Sequence, residues 1–405
     1  MLNKSNNAFA YKYFRVYFLG TFFGQNAYRL GVVTQSILLW KLVGTELSLG
    51  IGAASLALPM IIFNLFGGVL ADRYESRVLL FIVSLLGMLS FIGISLLDFF
   101  DYIEFWHVII FSIFSGIICG IDQVSRVAYF PSLVPKTSMK SAVKINTANF
   151  SISSVIAPTL AGIIISIFDT YIGFMVASIG WAVMCISTFF IPNRGVDFYQ
   201  RSILFELTTG FKYIYSQKII LILSILLFTN MLMNFGWLTT LPAYVQRFDG
   251  GEKEVGYLFS SCGVGATTGV LLSSRFSPGK YYGLLILFSA LLFSVMLFFV
   301  SLSENLYLSM ILAAFAHFGN GSLFNTTTVA VQIRLPEIIR GRVMGIFIIT
   351  GSVGIIGGLW TGFWASMVGL KLGMMIGPTV IITLVILIFF TQKKIRYLHE
   401  NPECD

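Results

Sequence analysis

Three charged side chains stand inside long apolar runs of this 405-residue chain: Arg29, Asp122 and Arg126. Asp122 and Arg126 are four apart, so on a helix they share one face and their charges can pair. Arg29 lies about 15 residues, roughly 22 Å, into its run, and Asp122 about 11 residues, roughly 16 Å, from the end of its own. The two are at similar depth, so one carboxylate is available to two guanidinium groups and one positive charge is left over. A guanidinium presents planar paired donors, which suits the group to a ligand with anionic or electron-rich oxygens. An ion pair that merely joins helices would use the same residues and bind nothing.

Uncharged polar residues gather in the same few runs. Gln25 and Asn26 precede Arg29; Asn230, Asn234 and Trp237 form a second set; His317, Asn320, Gly321 and Asn325 form a third. Spacings of three and four put members of each set on common helix faces, where they line a polar path or hydrogen-bond helices together. Proton exchange needs a titratable group, and the C-terminal half has no carboxylate inside its apolar runs. Asp122, with His317 second, is where a coupling proton would sit.

Other chemistry is poorly provided for. His107, His317 and His399 are scattered, and no nucleophile, base and orienting group stand together, so the chain is not read as an enzyme. Cys119, Cys185, Cys262 and Cys404 have neither metal-ligand spacing nor the pattern of an extracellular disulfide framework. No metal or other cofactor is expected. A Walker phosphate loop is absent, which points to an ion gradient rather than ATP as the energy source.

The elements that must hold these residues are membrane helices. Hydrophobic residues make up 57% of the chain and charged residues 11%, with a mean hydropathy of +0.86, whereas a soluble domain is about 25% charged. Apolar windows of about 20 to 28 residues, each able to cross a ~30 Å hydrocarbon layer, recur along the chain. They are placed at 14–42, 47–71, 78–97, 106–132, 142–168, 171–191, 219–245, 255–275, 281–302, 306–332, 341–368 and 372–391, which makes twelve transmembrane helices. The first run is too long for a secretory signal and is interrupted by Gln25, Asn26 and Arg29.

Between the windows, Lys and Arg fall almost wholly on one side, including Lys12, Arg15, Arg73, Arg77, Lys136, Lys140, Arg201, Arg334, Arg340 and Lys393. Only Lys41, Arg247, Lys253 and Lys371 fall on the other. The positive-inside rule then puts both termini in the cytoplasm. The net charge of +8 is accounted for by these loops facing anionic lipid, with no nucleic acid partner.

The longest polar connection divides the chain into a six-helix bundle over 1–192, a linker over 193–218 and a second bundle with a short tail over 219–405. Within the linker, Phe205, Leu207, Phe211 and Ile214 alternate with Glu206 and Lys212, the pattern of an amphipathic surface helix. The halves match at an offset of about 200 residues, as in transporters built from repeats. Tyr129 to Pro135 corresponds to Val331 to Pro336, and the small residues Ala157, Pro158, Ala161 and Gly162 to Gly357, Gly358 and Gly362.

After the second window, Gly68, Val69, Leu70, Ala71, Asp72, Arg73, Tyr74, Glu75, Ser76 and Arg77 resemble the signature loop of the major facilitator superfamily, with Glu75 and Ser76 departing from its glycine and basic residue. Gly24 to Trp40 and Arg126 to Pro135 are similar to the branch that includes the enterobactin exporter and macrolide efflux proteins. The stretch Ala157 to Gly162 is similar to the Gly-Pro-x-x-Gly-Gly motif of the superfamily's antiporters. The resemblance implies an all-α integral membrane protein of two pseudo-symmetric six-helix bundles, the major facilitator fold. It implies a central cavity lined by helices one, four, seven and ten, and alternating access by rocking of the halves.

On these grounds the substrate cavity is assigned Gln25, Asn26, Arg29, Asp122, Arg126, Asn230, Asn234, Trp237, His317, Asn320 and Asn325. Coupling and gating are assigned Asp72, Arg73, Arg77, Asp122, Pro158 and Gly162. The expected function is secondary active, proton-coupled export of a siderophore or drug-like molecule from the cytoplasm by a monomer in a bacterial inner membrane. Two other readings stay open: import of a metabolite or lysophospholipid, and, given Glu75 and Ser76, a transport-inactive sensor or scaffold.

Overall fold

The computed structural model describes residues 7–193, 203–275 and 279–399, without the side chains of 66–73, 203–207, 280 and 348–349. Among the described residues the chain is helical, with no strand. The N-terminal helices are α1 (Lys12–Val43), α2 (Glu46–Arg73), α3 (Ser76–Phe99), α4 (Phe105–Tyr129), α5 (Met139–Ile167) and α6 (Thr170–Thr188). After α7 (Ile203–Ser216) come α8 (Lys218–Thr239), α9 (Leu241–Gln246), α10 (Glu252–Ser273), α11 (Tyr282–Leu302) and α12 (Leu306–Ile333). The chain ends with α13 (Glu337–Gly354), α14 (Gly357–Val368), α15 (Leu370–Thr391) and α16 (Lys393–Arg396).

Each expected window is met by helix to within a few residues, because only helices satisfy every backbone polar group within one strand of chain in lipid. Eleven segments among the described residues are long and apolar enough to cross a membrane. α1, at 32 residues, is also long enough, but Gln25, Asn26, Arg29 and Gln35 lower its hydropathy. With it the crossings number the expected twelve. The seventh is interrupted at Thr240, where Pro242 opens α9 without an amide hydrogen to give. The eleventh is interrupted at Ile355 and Ile356, between Gly354 and Gly357.

Two compact units form. One contains Met1–Val43 and Ser55–Ile203, the other Gly44–Ala54 and Leu204–Asp405. The first turns of α2 therefore group with the C-terminal unit, where a Cβ on Gly50 would lie 2.8 Å from the Gly358 carbonyl oxygen of α14.

Within each unit, equivalent helices meet through glycine. In the first, a Cβ on Gly116 of α4 would sit 2.2 Å from the Leu56 carbonyl oxygen of α2. In the second, one on Gly265 of α10 would sit 2.0 Å from the Ala314 carbonyl oxygen of α12. Small residues let helix backbones touch where lipid supplies no hydrophobic drive for association. Large apolar side chains such as Leu58, Leu89, Phe114, Phe288 and Leu387 stay exposed, as a surface bathed in hydrocarbon requires.

Candidate functional site

In the N-terminal unit, α4 carries Asp122 and Arg126 one turn apart. The Arg126 Nε lies 2.8 Å from both Asp122 carboxylate oxygens. The side chains are only 15% and 10% exposed for Arg126 and Asp122. Arg126 Nη1 also donates to the Thr21 carbonyl of α1 at 3.3 Å, and Nη2 lies 3.2 Å from the Met184 sulfur of α6. Gly24 makes the approach possible, since a Cβ there would fall 3.2 Å from Nη2. The pair thus ties α4 to α1 and α6. Removing one partner of such a buried pair typically costs about 3–5 kcal/mol, because the other charge is stranded.

Arg29 is not part of this pair. Its guanidinium carbon stands 4.3 Å from the centroid of the Phe150 ring of α5, a cation–π contact. Among the described residues no carboxylate comes within ion-pair distance of it. The sharing of Asp122 between two arginines, expected from depth alone, therefore does not occur. Depth along two helices says nothing about the rotation of each, and that rotation aims Arg29 at α5.

Asn26 also faces α5. Its Nδ2 donates to the Phe22 carbonyl at 2.8 Å and to Ser153 Oγ at 2.9 Å, while its Oδ1 is buried without a partner. Gln25 is half-buried and makes no side-chain hydrogen bond among the described residues. The place of Phe150 beside Arg29 was not legible in the sequence, since nothing in its spacing separates it from ordinary core residues. Gln123 and Thr327 likewise carry buried oxygens without a partner.

Of the gating residues, Asp72 and Arg73 close α2, and their side chains lie outside the described residues. Arg77, in the first turn of α3, donates from Nε to the Thr188 carbonyl at 2.8 Å and from Nη1 to Asn193 Oδ1. Thr188 is the last residue of α6, so the cation meets the negative end of that helix dipole. Pro158 and Gly162 are buried within an unbroken α5.

In the C-terminal unit, Asn230, Asn234 and Trp237 share one face of α8 by their spacing, and His317 and Asn320 one face of α12. The two faces meet where the Trp237 and His317 rings lie 5.7 Å apart between centroids. The Phe293 ring of α11 meets His317 edge-on at 5.9 Å. His317 Nδ1 is 2.9 Å from the Ala313 carbonyl oxygen, so it donates there and Nε2 is left as an acceptor. Asn325 stands apart from this group, donating to Ser273 Oγ of α10 at 3.0 Å.

One ion pair sits outside the spans. Lys41, at the end of α1, lies 3.2 Å from Asp169, which caps α6 by accepting from the Thr170 amide at 2.7 Å. Partial burial works against ionisation of Asp169, but the Thr170 amide and Lys41 outweigh it and hold the carboxyl below its usual range. Among the described residues no group of His, Cys, Asp or Glu could hold a metal ion.

Residues 5–402 match the family described as transmembrane secretion effector. The chain is 22% identical over 390 residues to the staphyloferrin A transporter of Staphylococcus aureus, spanning 94% of each chain. It is 24% identical over 309 residues to the enterobactin exporter EntS of Shigella boydii serotype 4, covering 76% of this chain and 72% of that one. Among solved structures, a POT family transporter in complex with 5-aminolevulinic acid superposes with a TM-score of 0.76 at 12% identity, over 96% of this chain and 98% of the other. A bacterial homologue of the human lysosomal transporter Spinster, inward-facing and occupied, gives 0.71 at 14%, over 96% and 98%. These likenesses establish the fold.

Proposed function

The chain belongs to the transmembrane secretion effector family of the major facilitator superfamily, and from that premise we propose that it exports a small organic molecule, of siderophore or drug-like kind, by alternating access. It is a multi-pass membrane transporter. The observation that carries the direction and cargo is the match of residues 5–402 to a family of secretion proteins, joined by relatives whose names specify a siderophore transporter and a siderophore exporter.

Arg29 supports the same cargo. A guanidinium at membrane depth without a carboxylate partner is costly unless an anionic or electron-rich ligand completes it. Asp122 compensates Arg126, so Arg29 is left as the cation that cargo oxygens would meet. Asp72, Arg73 and Arg77 at the junction of α2 and α3, and the Pro158 and Gly162 stretch of α5, act in switching between states. A proton gradient supplies the energy, with His317 Nε2 the free proton acceptor now that Asp122 is engaged. The site is in the inner membrane of a bacterium, with both termini cytoplasmic.

The test is disruption of the gene followed by metabolite analysis of cells and medium. Export predicts that one compound accumulates in cells and disappears from medium. Accumulation in the medium would establish import instead, and no specific change would establish a sensor or scaffold.

A further inference from the structure

Three of the four residues of α16 are cations: Lys393, Lys394 and Arg396. The turn that carries them is held in place. Ile395 and Leu398 are buried, and the Gly283 amide of α11 donates to the Leu398 carbonyl at 3.3 Å. Arg334, next after α12, donates from Nη2 to the His399 carbonyl. A Cβ at Gly283 would fall 1.7 Å from the Ile395 carbonyl oxygen, so this approach needs glycine there. Orienting a chain in the membrane requires cations near the end of a crossing, with no fixed geometry for them. The anchoring of α16 therefore asks for a further reason.

Depth and charge supply one. The crossing of α15 ends at Thr391, so Lys393 begins two residues beyond the hydrocarbon, in the polar headgroup layer of roughly 5–8 Å on each face. Lys393 and Lys394 are exposed. Among the described residues no carboxylate lies within ion-pair distance of either, or of Arg396. The Arg396 guanidinium carbon stands 5.0 Å from the centroid of the Phe389 ring and 5.8 Å from that of Tyr397. These contacts hold the planar fork against α15, with its Nε buried and unpartnered. A fork so held suits paired phosphate oxygens. Phe390 and Tyr397 bracket the turn in sequence and are 72% and 64% exposed, as in the aromatic belt of a membrane interface. A soluble acidic partner would have to enter the headgroup layer to reach the same atoms.

We propose that α16 binds the phosphate headgroup of an anionic phospholipid, with Lys393, Lys394 and Arg396 as its counter-charges. The occupant is one lipid retained at the foot of α15, which is more than the diffuse attraction of basic loops to a charged leaflet. The site is independent of the export reading and requires only that the chain crosses a bilayer.

The experiment titrates the full-length protein in detergent with dioleoylphosphatidylglycerol or dioleoylphosphatidylcholine, read by native mass spectrometry. One phosphatidylglycerol adduct is expected to form at least about ten-fold more tightly than its phosphatidylcholine counterpart, since each cation near an anionic headgroup contributes about five-fold. Lys393→Gln, Lys394→Gln and Arg396→Gln together should abolish that preference. Lys136→Gln, Lys140→Gln and Lys144→Gln together remove the same charge from exposed positions around the start of α5 and should keep it. Equal loss in both triple variants would reduce the effect to diffuse attraction and overturn the proposal. Equal adducts of the two lipids, or an undiminished preference without the α16 cations, would do the same. Excess inorganic phosphate should leave the lipid in place, and displacement would assign the cations to free phosphate instead. A lower thermal midpoint in the α16 triple variant passes the test to Lys393→Gln with Lys394→Gln, both exposed. That pair should still weaken phosphatidylglycerol by at least about five-fold, and no weakening would overturn the site. Binding is read without transport, so a failed export assay leaves the site standing, and an absent adduct leaves export standing.

Discussion

Arg126 and Asp122 are joined through a single nitrogen, the Nε of Arg126, which lies 2.8 Å from each carboxylate oxygen of Asp122. The guanidinium tip is thereby free to reach the Thr21 carbonyl and the Met184 sulfur. The pair acts as a fastener of α4 to α1 and α6, and its worth is open to measurement. Asp122→Asn and Arg126→Gln are each expected to lower unfolding stability by about 3–5 kcal/mol. The double variant should lose clearly less than the sum, because no charge is then stranded. Thermal or denaturant unfolding in detergent reads the cycle; strictly additive losses would show that the ion pair contributes nothing.

Arg29 and Phe150 give a second expectation. Arg29→Gln should cut flux at least ten-fold with membrane abundance unchanged, since the cationic partner of the cargo's oxygens is lost. Arg29→Lys should retain part of it, keeping charge and the cation–π contact but not the planar fork. Flux in vesicles normalised to protein is the readout, and normal flux in Arg29→Gln would remove Arg29 from the substrate path.

Asp72 is expected to matter for switching rather than for folding. Asp72→Asn should abolish transport and leave abundance intact. Arg77→Ala should lower abundance as well as transport, because it also strips the Thr188 carbonyl and Asn193 of their donor at the end of α6. Quantitative blotting beside transport separates the two outcomes.

Asp169 and Lys41 set a pH-dependent contribution outside the spans. A carboxyl held below its usual range in the folded state stabilises fully above the unfolded value near ~3.9, and that contribution is lost as pH falls through the folded value. Asp169→Asn keeps the cap on α6 and removes only the charge. With the side chains 39% and 53% exposed for Lys41 and Asp169, the loss at neutral pH should stay below about 1 kcal/mol. It should vanish in strong acid. Unfolding midpoints of both forms between neutral and acid pH check this.

Coupling is tested with inverted vesicles. An imposed pH gradient should drive uptake of the exported compound, and His317→Phe should abolish the response to the gradient while downhill exchange persists. Uptake indifferent to pH in the unaltered protein would end the proton-antiport reading.

The crossings were legible in the chain because the quantity that sets them is local. A stretch such as 282–302 must be apolar for the length of a bilayer whatever surrounds it, and its hydropathy says so. The same local rule undervalues α1, where Asn26 donates to Ser153, Arg29 lies over Phe150 and Gln35 donates to Ser112 on neighbouring helices. Residue types also marked the α8 and α12 faces, since Asn and His are expensive in lipid and their three- and four-residue spacing is visible without coordinates.

What the sequence determined by itself was how many helices cross, where they begin, and which residues are too polar to face lipid. The four-residue spacing already offered Asp122 to Arg126, and tertiary structure alone decided the partners across helices: Arg126 with Thr21, Arg29 against Phe150, and Asn325 with Ser273. The physical reason is rotation. Glycines such as Gly24, Gly116 and Gly265 let backbones meet at particular faces, and the azimuth so fixed aims each polar side chain, a quantity that spacing along a single helix does not contain.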